Sequence, residues 1–261
     1  MPSLSQDTLK IALIQSDIAW LQVEQNLSHF AKQLSSLSGF DLILLPETFA
    51  TGFAVECDIK EPHQGPIFQW LAGQAQALNS VVGGSVLVSH KGKKFNRFYC
   101  CWPNQEFVVY DKRHLFCLGK EGDFIDPGAS RTLFNIKGFS FLPQVCYDLR
   151  FPVFQRNQGD YDVMINIANW PAARRSHWDT LLAARAIENQ SYVLAVNRIG
   201  TDGNGIAHDG GTQAFDYKGK RITQVADHQQ GVCTITLHKK ELQSYRHKFP
   251  AHRDADPFTL G

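Results

Sequence analysis

The chain is predicted to fold as one α/β domain built on mixed sheets, spanning residues 1–261. Short apolar, β-branched runs alternate with segments of helical spacing. Hairpin signals interrupt that alternation, and no repeat, low-complexity linker or composition break divides the chain.

The elements follow in order. "KIALIQSD" (10–17) reads as a buried strand. "WLQVEQNLSHFAKQLSSL" (20–37) places Leu21, Leu27, Phe30, Ala31 and Leu34 near helical spacing. "DLILLPET" (41–48) is a second strand, ending at Pro46 just before a carboxylate. A helix over 67–80 and a strand over 80–90 come next. "FNRFYCCWP" and "EFVVYDK" flank Pro103-Asn104 and predict an antiparallel hairpin. "FSFLPQV" is strand-like, and Pro152 can open a helix through "FPVFQRNQ". A strand (161–169), a helix (176–190) and a strand (191–200) precede a β-rich C-terminal part, with Lys218-Gly219-Lys220 as a tight turn.

Composition excludes several classes. Apolar residues make up 43% and charged ones 20%, and the net charge of +1 gives no global field for nucleic acid or anionic membranes. No apolar run approaches the ~20 residues of a membrane span. The start, "MPSLSQDTLK", lacks an apolar signal region, so a cytoplasmic location is expected. None of the six cysteines (57, 100, 101, 117, 146 and 233) forms a C-x-x-C pair, so no metal is expected. "RHKFPAHRDAD" near the C-terminus lacks metal-ligand spacing and reads as a solvated or interface-docked tail.

Four chemically capable residues sit after predicted strands, where α/β folds place their sites: Glu47, Lys112, Cys146 and Asn169. Cys146, between a strand and a proline-led segment, has the setting of a nucleophile elbow. Glu47, behind "LILLP", is expected to be desolvated and suited to a general base. Lys112 supplies a cation expected to depress the thiol pKa and stabilise an oxyanion. Glu121, nine residues further on, is expected to hold the lysine or assist proton transfer.

Glu47 in "LPETF", Lys112 in "DKRHLF" and Cys146 in "QVCYDLRFP" resemble the Glu-Lys-Cys triad of the nitrilase superfamily. The likeness continues through "NWPAARRSHWDTLLAARAIENQSYVLAVNRIGTDG" to "YRHKFPAHRDADPF", and is strongest to the omega-amidase branch, which acts on 2-oxoglutaramate and 2-oxosuccinamate. The resemblance implies a four-layer α-β-β-α sandwich, a homodimer or larger homo-oligomer, and no metal or organic cofactor. It also implies that Cys146 attacks the amide carbon while Glu47 takes its proton. Lys112 and the Tyr147 backbone N–H would hold the oxyanion, and a thioester would be hydrolysed in turn.

Such a substrate carries a carboxylate, so a fixed cation is expected in the pocket. Arg174 and Arg175, after Asn169-Trp170-Pro171, are the candidates, with Trp170, Phe116 and Phe124 as walls. Arg150 is expected to brace the elbow through an ion pair with Asp148 or another acid, and His177 is a lesser candidate base. The "HRDADPFTL" end is expected to dock on a partner subunit. Another amide (deaminated glutathione or an N-carbamoyl amino acid), a nitrile, or a catalytically inert binding module are the competing readings.

Overall fold

The structure, a computed structural model, describes residues 7–58 and 60–260. In chain order its strands and α-helices are β1 (Thr8–Gln15), α1 (Val23–Leu34), β2 (Leu42–Leu44), α2 (Pro66–Leu78), β3 (Val81–His90), β4 (Lys93–Cys101), β5 (Phe107–Asp111), β6 (Phe134–Ile136) and β7 (Phe139–Val145). There follow α3 (Pro152–Gln155), β8 (Val163–Ala168), α4 (Arg175–Asn189), β9 (Tyr192–Asn197), β10 (Ile199–Thr201), β11 (Ala207–Asp209), β12 (Gln213–Phe215), β13 (Arg221–Gln224), β14 (Gly231–His238) and α5 (Lys239–Lys248).

Two six-stranded sheets, ordered β14-β1-β2-β3-β4-β5 and β13-β12-β9-β8-β7-β6, repeat one plan. In each, three neighbouring strands run parallel and the flanking pairs antiparallel. Strand side chains alternate between faces, and that period sorts the cores. Leu9, Ile11 and Leu13 of β1 pack in one cluster with Phe141, Val163, Ile165 and Leu194 of the other sheet. Ala12 and Ile14 point the other way, joining Phe30 and Leu34 of α1 and Leu71 and Ala75 of α2. On the far side Leu142, Met164 and Val193 pack against Trp178, Leu182 and Ala186 of α4. The layers are therefore α-β-β-α, as the resemblance implied.

Most predicted elements stand, with shifted ends. The first helix starts at Val23 rather than Trp20 because Leu21 adopts φ 59°, a left-handed turn. The helix after Pro152 is a single turn. Helix α5 was not anticipated: it is polar, with Leu242 its buried residue, and so shows no apolar stripe. The "RHKFPAHRDAD" stretch is corrected in part. Arg246 is not solvated but turns inward, to Asp162 Oδ1 at 3.0 Å and the Tyr161 carbonyl at 2.8 Å. Residues 1–6 of the polar N-terminal stretch lie outside the described residues. Among the described residues no helix is long and apolar enough to cross a membrane.

Candidate active site

The C-terminal ends of the central strands deliver the site. Just past β2, Leu45-Pro46 carries Glu47 into the interior, where it is fully buried. Thr48 follows with φ 45°, and its amide donates to Ser85 Oγ at 2.8 Å. Lys112 directly follows β5, and its amide extends the ladder by donating to the Asn96 carbonyl at 3.0 Å. Its own carbonyl accepts from Gly128, where a Cβ would lie 2.0 Å from the Asp111 oxygen, so only glycine permits that approach.

Cys146 opens a 3-10 turn (Cys146–Arg150) after β7, with φ 46°. A non-glycine residue in the left-handed region is strained and persists only where its surroundings hold it. Asp148, fully buried, does that holding. Its Oδ2 accepts from the Val145 amide (2.9 Å) and the Tyr110 hydroxyl (2.7 Å), and its Oδ1 from the His114 amide (2.9 Å) and Nδ1 (2.7 Å). The His114 ring stacks on Phe151 at 3.9 Å, closing the brace. The expected Arg150–Asp148 ion pair is replaced by these four bonds.

Glu47, Lys112 and Glu121 form one buried network. Lys112 Nζ lies 3.1 Å from Glu47 Oε1 and 3.0 and 2.9 Å from the two oxygens of Glu121. Glu121 sits on a 3-10 turn (Glu121–Asp123), is fully buried, and also accepts from the Phe116 amide at 2.6 Å. Glu47 accepts at Oε1 from Asn96 Nδ2 (2.7 Å), and at Oε2 from the Asn169 amide (2.7 Å) and Nδ2 (3.2 Å). Asn169 Nδ2 also reaches the Glu47 carbonyl (2.9 Å) and Thr48 Oγ1 (3.0 Å).

The electrostatics differ from expectation at one point. Desolvation pushes the Cys146 thiol well above its ordinary pKa, the nearby Glu47 carboxylate adds to this, and Lys112 only partly opposes them. The expected depressed thiol is therefore corrected: desolvation and two nearby carboxylates outweigh one cation. Burial works against the Lys112 charge, but Glu121 and Glu47 more than offset it and hold the ammonium above its usual range. Burial raises the Glu121 carboxyl, with Lys112 pulling it down and Glu47 pushing it up. A thiol raised in this way requires a base to take its proton during attack.

A cavity of about 760 Å³, counting the space at its mouth, opens onto these groups. Glu47, Lys112, Cys146, Tyr147, Asn169 and Trp170 line it, as do Phe116 and Arg174. Arg150 also lines it, which the elbow-brace reading missed. Its guanidinium lies 4.7 Å from the Trp170 ring and donates to His177 Nδ1 at 3.2 Å. Arg174 lies over Phe116 at 5.3 Å. Among the described residues neither arginine has a carboxylate within ion-pair distance.

Arg175, by contrast, does not line the cavity. It begins α4 and is taken up by Asp179 (3.0 Å), Asp227 (2.9 Å) and Asp209 (3.4 Å). Phe124 and His177 do not line it either. Asp202, Asn204 and Ile206, on the β10–β11 loop, form a wall whose Gly-rich sequence carried no recognised signal. Asn96 also went unread, because it lies inside β4 rather than at a strand end. No group of three or more His, Cys, Asp or Glu among the described residues is placed to hold a metal ion.

Known proteins resemble this chain in sequence and in fold. The carbon-nitrogen hydrolase family model matches residues 10–247. An omega-amidase of Escherichia coli K12 is 42% identical over 252 residues, covering 97% of this chain and 98% of its own. A 2-oxoglutaramate amidase of Bacillus subtilis is 29% identical over 252 residues, covering 94% and 96% respectively. The crystal structure of a CN-hydrolase superfamily protein from Xanthomonas campestris, with an arsenic adduct in its active site, superposes with a TM-score of 0.95 at 40% identity, covering 97% of this chain and 99% of that one.

Proposed function

The chain belongs to the carbon-nitrogen hydrolase family, and on that premise we propose that it is a cysteine-dependent omega-amidase with Cys146 as its nucleophile and Glu47 as its base. The reaction is hydrolysis of the terminal amide of a short dicarboxylic monoamide such as 2-oxoglutaramate, giving the 2-oxo acid and ammonia. The observation that carries this reading is that Cys146, Glu47 and Lys112 line one cavity, with the Glu47 carboxylate held by Lys112 Nζ at 3.1 Å.

The steps follow from the resting charges. The substrate amide carbon sits against Cys146, and as the sulfur attacks, its proton passes to Glu47. The oxyanion is received by the Tyr147 N–H, which lies in the first turn of a 3-10 helix and has no intrahelical partner there. Lys112 supplies positive charge beside it. Because Nζ makes two bonds to Glu121, releasing one of them frees an N–H for the oxyanion. Glu47 then returns the proton to nitrogen and ammonia leaves, with the acyl group on sulfur. Water that gives a proton to Glu47 attacks the thioester. The second oxyanion collapses, the acid leaves, and sulfur recovers its proton.

Arg174 and Arg150 receive the substrate carboxylate in this reading. Both guanidiniums are held at the cavity wall by aromatic faces rather than by acids, which leaves their charge available. Trp170 and Phe116 fix them there.

Ammonia release from 2-oxoglutaramate, an N-carbamoyl amino acid, deaminated glutathione and a simple nitrile tests the assignment. Turnover of the first with the others at least 10²-fold slower in kcat/KM is expected. Preference for another amide would discard the omega-amidase branch, and no turnover of any would favour an inert binding module.

A further inference from the structure

We propose that Asn96 is a positioning residue of this reaction, setting the Glu47–Lys112 separation and holding the Glu47 carboxylate in place as a proton acceptor, through the Asn96 Nδ2–Glu47 Oε1 bond and the Asn96 carbonyl–Lys112 amide bond. The proposal rests on the reading of Glu47 as the base.

Asn96 is buried in the middle of β4 and does not line the cavity. Its side chain donates to Glu47 Oε1 at 2.7 Å, matching the shortest of the four bonds that this carboxylate accepts. Its carbonyl accepts from the Lys112 amide at 3.0 Å, just where the β4–β5 ladder ends at the Arg97–Asp111 pair. One residue thus grips the base by its side chain and the lysine by its backbone. The bidentate Arg97–Asp111 bonds, 2.7 and 2.8 Å, lock the adjacent rung and keep that grip in register.

The orientation of the amide is also determined. With oxygen turned toward Glu47, two acceptors would face each other at 2.7 Å, so the N–H₂ must point there. Asn96 Oδ1 is then left buried without a hydrogen-bond partner. Folds rarely carry an orphaned buried acceptor, and here the cost accompanies a bond to the reacting carboxylate.

A hydrogen bond to the charged form of a carboxylate favours that form. Among the described residues the charged and titratable groups around Glu47 are Lys112 at 3.1 Å, Glu121 across that lysine, and the Cys146 thiol; Asn169 donates from the opposite side. Removing Asn96 takes away a neutral donor from this set and leaves the others in place. The buried carboxylate then loses one of its donors, and its pairing with Lys112 loosens.

The test compares Asn96→Ala and Asn96→Ser with wild type for 2-oxoglutaramate turnover from pH 5 to 9, with thermal unfolding recorded alongside. Asn96→Ala is expected to lose about 10²-fold in kcat, the scale of a small misplacement, with KM within about twofold. The acid limb of its kcat/KM profile should move up, the direction expected when a carboxylate loses a hydrogen bond to its charged form. Asn96→Ser, which keeps a donor, should recover part of both. Where Asn96→Ala is too unstable to assay, iodoacetamide labelling of Cys146 against pH in Asn96→Ser gives the same limb. A kcat loss with an unmoved acid limb, a loss confined to KM, or kcat within threefold of wild type would overturn the proposal. Glu47→Gln, assayed in parallel, keeps the two readings apart: activity surviving there would refute the base itself, whatever Asn96 does.

Discussion

Replacing Lys112 by methionine removes the cation and leaves two buried carboxylates facing each other. The Lys112 side chain is fully buried, and its Nζ touches three carboxylate oxygens within 3.1 Å. Removing one partner from a buried ionic cluster costs about 3–5 kcal/mol, because the charge left behind has no water to turn to. The loss should depend on pH in a definite direction. Glu121 is already raised from the ordinary carboxyl value of 4.5 by burial, against the pull of Lys112. Without Lys112 it rises further. A carboxyl raised in the folded state contributes stability that is fully present below its unfolded pKa and is lost as pH climbs toward the folded one. Each pH unit in that window costs about 1.4 kcal/mol for each proton that the native state holds and the unfolded state does not. Between pH 5 and pH 7 the deficit of Lys112→Met should therefore grow, by no more than about 1.4 kcal/mol per pH unit for this one carboxyl, since wild-type Glu121 is itself raised. Urea denaturation of variant and wild type at pH 5, 6 and 7 measures it. A deficit equal at all three, or larger toward acid, would refute the picture of Lys112 as the charge that favours the ionised Glu121 carboxyl.

Two further outcomes follow from the same contacts. Asp148→Ala orphans four donors at the elbow, one of them the Val145 amide, and should lower unfolding stability by about 3–5 kcal/mol, read from the urea midpoint. Arg174→Leu and Arg150→Leu should each raise KM for 2-oxoglutaramate by about 10–100-fold, the range of a charge-assisted pair, while kcat/KM for a small uncharged amide stays within threefold. Equal losses on both substrates would place the arginines in the architecture rather than in carboxylate recognition.

Much of this was legible in the sequence because the signals were local. Glu47 and Cys146 each end an apolar strand beside a proline or a polar break, and Lys112 ends the second arm of a hairpin. Such punctuation marks the strand ends where α/β folds gather their chemistry. The alternation along β1 and the helical spacing of α1 gave the layers by the same reasoning. What stayed hidden was set by contacts between distant segments. Arg174 and Arg175 are neighbours in sequence, yet only Arg175 meets Asp179, Asp209 and Asp227, which come from separate parts of the fold. Asn96 matters because the β3–β4–β5 register brings it to a residue 49 positions away. The sign of the Cys146 shift was equally hidden, since it depends on how the fold gathers the thiol against two buried carboxylates. Helix α5 hides for a different reason: a mostly exposed helix has no apolar stripe to read.

The central claim is that Cys146, and no other cysteine, carries the acyl group. The most direct measurement is ammonia release from 2-oxoglutaramate by wild type, Cys146→Ala and Cys117→Ala under one set of conditions. Cys117 is the exposed thiol nearest the elbow, its sulfur 3.9 Å from the Tyr147 hydroxyl, and serves as the control. Loss of a nucleophile acting in concert with its base should cost about 10⁵–10⁶-fold in kcat, while Cys117→Ala stays within threefold of wild type. A Cys146→Ala protein that keeps a tenth or more of wild-type turnover would contradict the account.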